Sequence, residues 1–299
     1  MRIAAVVVTY NRMDTLRRCL AAVAGQQPAA PDILVVDNHS TDGTAAFLAE
    51  QAAAGRLQYR DTGANIGGAG GFSAGMGWAV EAGYTHLWVM DDDCIPQPDA
   101  LAALVAAHEQ LNGNYGFLSG IAYWRDGSRC RMNIQKRTLT ARLERLERPL
   151  EPVIMATFVS AFIPAERVRA VGLPYKEFFI WADDLEYTRR LSRRYPGYAV
   201  TGCRVLHDMA HNRRVDIAAD TPERLFRYRY LYRNEVFLYR REGLRGRLYM
   251  AARLLCHCLR VAVSAAPDKR RRIGVILRSA RQGRHFHPVA DYPAPPCGE

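Results

Sequence analysis

The chain has 299 residues, of which 49% are hydrophobic. This is enough apolar material for one large α/β domain, or for one domain with an appendage, and it excludes a largely disordered protein. The net charge of +11 is unevenly distributed, because basic residues recur among aromatic residues and leucines between Arg224 and Arg284. Such a region suits an anionic membrane or nucleic acid.

Cysteine usage and the amino terminus bear on the compartment. The seven cysteines are odd in number and scattered, so we expect reduced thiols. Cys256 and Cys258 flank His257 without a second pair, and we interpret them as helix-packing residues. Residues 1–9 are too short for a signal peptide, and no stretch reaches the roughly 18 uninterrupted apolar residues of a spanning helix. These features predict a cytoplasmic protein, soluble or peripheral on the inner face of the plasma membrane.

Residues 1–90 alternate between strand and helix patterns. Strands are predicted at 3–8, 33–36, 57–59 and 86–90, and helices at 14–24, from 41 or 42 to 53, and from a glycine run at 65–73 to 81. This βαβαβαβ order predicts an α/β fold with a doubly wound, mostly parallel sheet and right-handed crossovers.

Polar residues follow the first two strands. Thr9, Asn11 and Arg12 end the first strand, and Asp37 ends the second. A guanidinium can fork onto phosphate, and a carboxylate can accept hydrogen bonds from a nucleoside. Because parallel strand ends meet at one edge of a sheet, where open α/β sheets bind ligands, we predict a nucleotide site here.

The glycine run has two interpretations. Four glycines in residues 67–71 let backbone approach a ligand closely, and the following helix amino terminus favours anionic groups. On this view Asn65, Gly67 and Gly68 contact a diphosphate or a sugar. The alternative is a tight loop with close helix packing. The run is neither a Walker A loop nor a dinucleotide-binding GxGxxG motif.

Three adjacent carboxylates, Asp91, Asp92 and Asp93, follow the strand at 86–90. Neighbouring carboxylates repel by about 1 kcal/mol per pair even in a high dielectric, so a fold that keeps them close often supplies a cation. Asp91 and Asp93 stand at alternate positions and suit Mn²⁺ or Mg²⁺. The alternative is a solvated acidic turn.

The middle of the chain is less regular. We predict a strand at 117–124, a hairpin turn at Asp126 and Gly127 leading into 128–133, a charged and solvated excursion at 136–152, and an apolar strand at 153–163.

A second acidic cluster, Asp183, Asp184 and Glu186, begins a helix that runs to about Arg194. Acids in a first helical turn are stabilised by the macrodipole, so helix capping is one interpretation. However, the preceding run at 178–181 is aromatic and apolar. Partial desolvation beside it raises a carboxylate pKa and suits a general base.

A histidine follows the next predicted strand, at 200–206. His207 stands at the end of that strand in a chain with paired carboxylates, which makes it a candidate third metal ligand. His211 is the alternative ligand.

These motifs together resemble the family 2 glycosyltransferases of the GT-A fold over residues 1–210. The matching elements, in the order used by that family, are Thr9-Tyr10-Asn11-Arg12, the Asp37 to Thr44 segment, Asp91-X-Asp93 and Asp183-Asp184-X-Glu186. The glycine element, the triple Asp and the Trp-linked acidic motif followed by His are most similar to bacterial galactofuranosyltransferases. One departure is the spacing Trp181-Ala182-Asp183-Asp184, which affects the assignment of the base.

The resemblance implies an inverting, metal-dependent transfer of galactofuranose from UDP-galactofuranose to a hydroxyl of a cell-surface glycan or a lipid-linked acceptor. It implies Asp91, Asp93 and His207 as ligands of Mn²⁺ or Mg²⁺ and Asp184 as the base. Asp92 would face the sugar or the ribose. The remaining implied residues are the acceptor contacts Trp181, Asp183 and Glu186.

Two alternatives stay open. The same fold could use another donor, such as dTDP-rhamnose or a UDP-hexopyranose. A nucleic-acid-binding protein acting through its basic tail is the alternative of another class, although nucleic acid is not the expected partner. We predict a GT-A domain at 1–215 and a basic helical region at 216–299, whose aromatic residues and leucines cover the catalytic domain. Its arginines would face anionic lipid or a lipid-linked acceptor, and an oligomer contact is the alternative role.

Overall fold

The computed structural model describes residues 1–295. Within them the strands are β1 (Ile3–Thr9), β2 (Asp32–Asp37), β3 (Gln58–Asp61), β4 (His86–Asp91), β5 (Cys94–Pro96), β6 (Phe117–Tyr123), β7 (Leu150–Val153), β8 (Ala161–Pro164) and β9 (Gly197–His207). The helices of the same residues are α1 (Met13–Ala24), α2 (Thr44–Ala53), α3 (Gly67–Glu81), α4 (Ala100–Gln110), α5 (Ala165–Val171), α6 (Asp183–Ser192), α7 (Leu225–Arg240), α8 (Gly243–Val263) and α9 (Lys269–Arg284).

The strands form one sheet in the order β3-β2-β1-β4-β8-β6-β9-β5, with β7 also pairing with β9. Strands β3, β2, β1 and β4 are parallel, as are β6 and β9, whereas β8 runs antiparallel between β4 and β6. The predicted α/β fold with a mostly parallel central sheet is confirmed. Its inner strands are apolar on both faces because helices cover both sides.

Helices α3, α5 and α6 pack on one face of the sheet, and α1, α2 and α4 pack on the other. The carboxyl ends of β1, β2 and β4 therefore meet at one edge, which is where the sequence places its polar residues. Strand β5 is not predicted, because Pro96 cannot donate to a ladder. It is accommodated at the sheet edge, antiparallel to β9.

Three predictions for the middle of the chain are wrong in part. The single strand predicted at 153–163 is divided, since β7 ends at Val153 and β8 begins at Ala161. The second hairpin strand at 128–133 is reduced to one bridge between Tyr123 and Arg129. The excursion at 136–152 is not simply solvated, because it contains the buried Leu143 and most of β7. Local periodicity could not reveal these tertiary contacts.

The carboxyl-terminal region is helical, as predicted, and α7 packs against both α8 and α9. The aromatic residues of α7 are largely buried, among them Tyr228, Tyr232 and Tyr239. They share a core with Trp181 of the acidic segment. The prediction that the leucines of this region also cover the catalytic domain is wrong for α8, whose leucines are mainly exposed. The boundary at residue 215 stays a prediction.

Across residues 1–295, none of the helices combines the length and the apolar character needed to cross a bilayer.

Candidate active site

A cavity of about 1130 Å³ opens at the carboxyl ends of β1, β4 and β9 and at the amino terminus of α6. It brings together residues that are far apart in the chain. The residues expected from the sequence that line it are Asn11, Arg12, Gly68, Asp91, Asp93, Trp181, Asp183, Asp184 and His207. Both acidic motifs and the strand-end histidine therefore face one space.

Several other expected residues do not line this cavity. Glu186, expected as an acceptor contact, is buried and paired with Arg190 at 2.8 Å, so its placement is structural. Asp37 is buried, and one of its oxygens accepts a hydrogen bond from the Ser40 amide at 3.0 Å. Asn65 lines a separate pocket of about 610 Å³ beside α3.

Side chains at and just after the end of β1 stabilise the turn between β4 and β5. The Thr9 hydroxyl donates to Asp92 at 2.7 Å. The Arg12 guanidinium lies 2.6 Å from an oxygen of Asp93 and 3.3 Å from one of Asp92. Burial raises the pKa of Asp92 to about 6, although Arg12 opposes the shift. Thr9 and Arg12 thus organise the acidic turn, and Asp92 supports it from a position behind the cavity wall.

Asp93, Cys94 and His207 form a group whose possible ligand atoms lie within 4.8 Å of one another. The group forms because β5 pairs with β9 in a register that places Cys94 opposite His207. The His207 Nε2 atom is 3.1 Å from the Asp93 Oδ1 atom. Asp91, at the end of β4, lines the same cavity but is not a member of this group.

A hydrogen-bond network sets the tautomer of His207. The Asn133 amide nitrogen donates to the Thr157 hydroxyl at 3.1 Å, which turns its carbonyl oxygen toward His207. That oxygen is 2.9 Å from His207 Nδ1, and the network therefore assigns the ring proton to Nδ1. In the neutral ring, Nε2 then presents its lone pair to Asp93 Oδ1, a buried oxygen for which no contact meets hydrogen-bond geometry.

This donor set fits a divalent cation. When the His207 ring is neutral with its proton on Nδ1, two lone pairs face each other at 3.1 Å, and a bound cation removes their repulsion. A histidine that donates its other ring proton to an oxygen is the usual arrangement around protein-bound metals. Cys94 is a poor ligand here, because burial and the neighbouring Asp93 raise the pKa of its thiol.

The segment before α6 is strained. Phe179, Trp181 and Ala182 all have positive φ, at 62°, 66° and 66°. The Asn234 side chain of α7 stabilises this conformation by donating to the carbonyl oxygens of Phe178 and Trp181 at 3.0 and 2.9 Å. Such backbone outliers persist only where the surroundings enforce them, and they cluster at functional sites.

The segment delivers Asp183 and Asp184 to the cavity in the first turn of α6. Burial raises the pKa of both carboxyls, and that of Asp184 to about 6. The charge of Asp184 raises the pKa of Asp183 further. Asp184 accepts a hydrogen bond from the Leu185 amide at 2.6 Å and is the less buried of the two. Asp184 is therefore the ionised carboxylate of the pair near neutral pH.

The glycine run contacts the strained segment as well as the sheet. The Ala69 amide donates to the Phe179 carbonyl at 3.1 Å, and a Cβ at Gly67 would lie 2.2 Å from that oxygen. A Cβ at Gly71 would lie 2.5 Å from a methyl group of Val8. Close packing, the alternative interpretation of the run, accounts for these two glycines, whereas Gly68 lines the cavity.

Sequence patterns missed two residues of the site, Asn133 and Arg227. Asn133 lies in an irregular segment and carries no motif. Arg227 belongs to the basic tail, yet it lines the cavity, and its buried Nε atom has no hydrogen-bond partner. Burial and the nearby Arg224 and Arg12 lower the pKa of Arg227. An anion in the cavity would therefore stabilise the charged form of this guanidinium.

The fold and the site together define a class of protein. The sequence matches the family described as "Glycosyl transferase family 2" over residues 4–163, which is more than half of the chain. The chain belongs to glycosyl transferase family 2.

Two relatives show the range of this similarity. The chain is 29% identical to the galactofuranosyltransferase GlfT1 of Mycolicibacterium smegmatis over 199 residues, 64% of this chain and 65% of that protein. It is 36% identical to the undecaprenyl-phosphate mannosyltransferase of Micrococcus luteus over 110 residues, 36% of this chain and 44% of that protein. The matched region thus spans less than two thirds of either relative.

The fold is also similar to that of a solved glycosyltransferase. The crystal structure of GalNAc-T7 with UDP, GalNAc and Mn²⁺ matches with a TM-score of 0.61 at 15% identity, covering 80% of this chain and 48% of that one. At this identity the match speaks for the fold alone, and the predicted GT-A architecture is confirmed.

Proposed function

We propose that the protein is an inverting, metal-dependent glycosyltransferase that moves galactofuranose from UDP-galactofuranose to a hydroxyl of a cell-surface glycan or a lipid-linked acceptor. One observation carries the proposal. A single cavity is lined by a cation-suited pair, Asp93 and His207, and by a buried carboxylate of raised pKa, Asp184. Inverting transfer needs these two functions: a positive charge that stabilises the leaving diphosphate, and a base that takes the proton of the acceptor hydroxyl.

Asp93 and His207, with Asp91 beside them, would hold Mn²⁺ or Mg²⁺. When bound, the cation neutralises charge on the donor diphosphate. Family membership and the Mn²⁺ in the GalNAc-T7 structure support a divalent ion. Asn133 holds the imidazole in the tautomer that leaves Nε2 free.

The donor is proposed to lie along the ends of β1, β2 and β4. Asn11, Arg12 and Gly68 line the cavity on this side, and the unpaired Nε of Arg227 offers a donor to a phosphate oxygen from the opposite wall. Asp37 has one buried oxygen without a partner, which suits a nucleoside hydroxyl or imide. Thr9, Asn65, Gly67 and Asp92 are proposed to shape the donor site from behind the cavity wall.

Asp184 is proposed to take the proton of the acceptor hydroxyl as that oxygen attacks the anomeric carbon. The bond to the diphosphate breaks in the same step, so no covalent intermediate is required. Trp181 and Asp183 line the cavity beside the base and are proposed to contact the acceptor. Because burial raises the pKa of Asp184 to about 6, the group is ionised at neutral pH and remains a stronger base than an exposed aspartate.

The sugar and the acceptor rest on relatives. The galactofuranosyltransferase named above supports galactofuranose, whereas the mannosyltransferase keeps a hexopyranose donor as the alternative. Release of the nucleoside diphosphate, UDP or dTDP, by the purified full chain, measured with Mn²⁺ across a panel of nucleotide sugars with and without EDTA, tests the donor. We expect chelator-sensitive turnover that prefers UDP-galactofuranose. Preference for dTDP-rhamnose or a UDP-hexopyranose would exclude the galactofuranose assignment and keep the mechanism.

The acid limb of the pH profile tests the base. A raised pKa of about 6 for Asp184 means that the carboxylate is lost as the pH falls below this value, so kcat/KM should drop about tenfold per pH unit below pH 6. UDP binding, measured over the same range, separates this ionisation from loss of the metal. A profile flat down to pH 4.5 would contradict the assignment.

A further inference from the structure

The outward face of α8 is apolar where a solvated helix would be charged. Its large exposed side chains, each between 56% and 83% exposed, are Leu244, Leu248, Leu255, Leu259 and Val263. At 100° per residue they fall on one stripe of the helix. The opposite face packs on the protein through Gly246, Met250 and Val261. An apolar stripe of this length on a surface indicates a binding partner.

The charged residues of α8 and α9 are all basic. Helix α8 contains four arginines and α9 contains seven lysines and arginines, and neither helix contains an acidic residue. Arg253, Arg260 and Arg272 form ion pairs with Glu235, Asp216 and Asp268. Others, such as Arg245, Arg247 and Arg270, are exposed. An anionic bilayer has acyl chains that can contact the apolar stripe and lipid phosphates that can contact the bordering arginines. The face of α8 is therefore complementary to such a membrane.

The same charge argues against other occupants. A second copy docked on this face through a two-fold axis would bring the arginine borders of both copies together, which is unfavourable. Nucleic acid would satisfy the arginines, but it would leave the leucine stripe without an apolar partner.

The stripe belongs to helices that are tied to the wall of the active-site cavity. Arg260 of α8 donates to Asp216 at 3.4 Å, and Arg272 of α9 donates to the Asp220 carbonyl at 2.8 Å. Asp216 and Asp220 both line the cavity. A surface bound by α8 would therefore be coupled to the cavity wall through direct contacts.

We propose that α8 is a membrane-docking helix, which inserts its leucine stripe between the acyl chains of an anionic bilayer while arginines of α8 and α9 contact lipid phosphates. The arrangement reverses the sequence-based expectation, in which the leucines faced the protein and only the arginines faced lipid. It holds for any donor sugar, and it would bring the enzyme to a lipid-linked acceptor.

Cosedimentation of the full chain with vesicles tests the proposal. We expect binding to vesicles of phosphatidylglycerol and phosphatidylcholine, weaker binding to phosphatidylcholine alone, and partial loss in high salt. The double variant Leu248→Gln/Leu255→Gln, which changes no charge, should lose at least about tenfold in affinity. Val289→Gln, at an exposed valine outside the helices, is the matched control and should bind within twofold of the parent.

Two results would overturn the proposal. One is vesicle binding that the double variant retains. The other is a parent protein that does not bind vesicles but forms a concentration-dependent dimer, which the two substitutions dissociate. That result would assign the stripe to contact with a second copy. UDP release in solution needs no vesicle, so the double variant should keep it. Failure of the proposed function in the donor panel and failure of the membrane-docking proposal are therefore distinguishable.

Discussion

Replacing Asp184 by asparagine should reduce glycosyl transfer by about 10²- to 10⁴-fold, the usual contribution of a positioned general base. Asparagine keeps an oxygen for the Leu185 amide, which lies 2.6 Å from the native carboxylate, so the start of α6 should stay folded. UDP affinity in the presence of Mn²⁺ should remain within twofold of the parent, because Asp184 is proposed to act on the acceptor. Parallel initial rates and UDP calorimetry measure the two effects.

Asp183→Asn is the matched variant. Burial and the charge of Asp184 raise the pKa of Asp183 to about 8, so this carboxyl is neutral at pH 7 and asparagine resembles its native form. We expect a loss below about tenfold, expressed mainly in the KM for the acceptor. If Asp183→Asn were the inactive variant and Asp184→Asn kept its turnover, the roles of the two residues would be exchanged.

The second large effect concerns the proposed metal site. Asp93→Asn and His207→Ala should each weaken Mn²⁺-dependent UDP binding by at least about 100-fold, since each removes half of the pair that meets at 3.1 Å. Asn133→Leu keeps both proposed ligands but removes the partner of His207 Nδ1 and the hydrogen bond to Thr157, and an outer-shell change of this kind costs about 10- to 100-fold. Manganese titration followed by electron paramagnetic resonance, with and without UDP, reports binding independently of turnover.

Cys94→Ser provides the control for this series. Cys94 lies in the same group of potential ligands, but its thiol is held in the neutral form by burial. Serine should therefore leave manganese affinity within about threefold of the parent. A loss equal to that of His207→Ala would place the sulfur in the coordination sphere.

Much of the site could be predicted because it lies at strand ends. Asp91, Asp93 and His207 each follow a run of strand length, and parallel strands bring their ends to one edge. Asn133 could not be found in this way, because it is 74 residues from His207 and lies in an irregular segment. The left-handed conformations of Trp181 and Ala182 also leave no sequence signal, since neither residue is a glycine.

Periodicity also has a limit that α8 illustrates. A helical repeat of leucines shows which side chains share a face, but it does not show whether that face meets the protein core or the surroundings. Leu248 and Leu255 lie outward, while Met250 lies inward. The composition of the basic tail likewise predicts a role at a surface, whereas Arg227 lines the cavity of the candidate active site.

The contact between Asn234 and the strained segment has a consequence for the order of events during synthesis. Asn234 binds the Trp181 carbonyl across 53 positions of the chain. A ribosome that has released the whole sheet has therefore not yet released the side chain that holds the segment before α6 in its strained conformation. The proposed cation site, whose residues end at His207, can be completed earlier. The nascent chain would thus become able to bind the proposed cation before the proposed base is fixed in position.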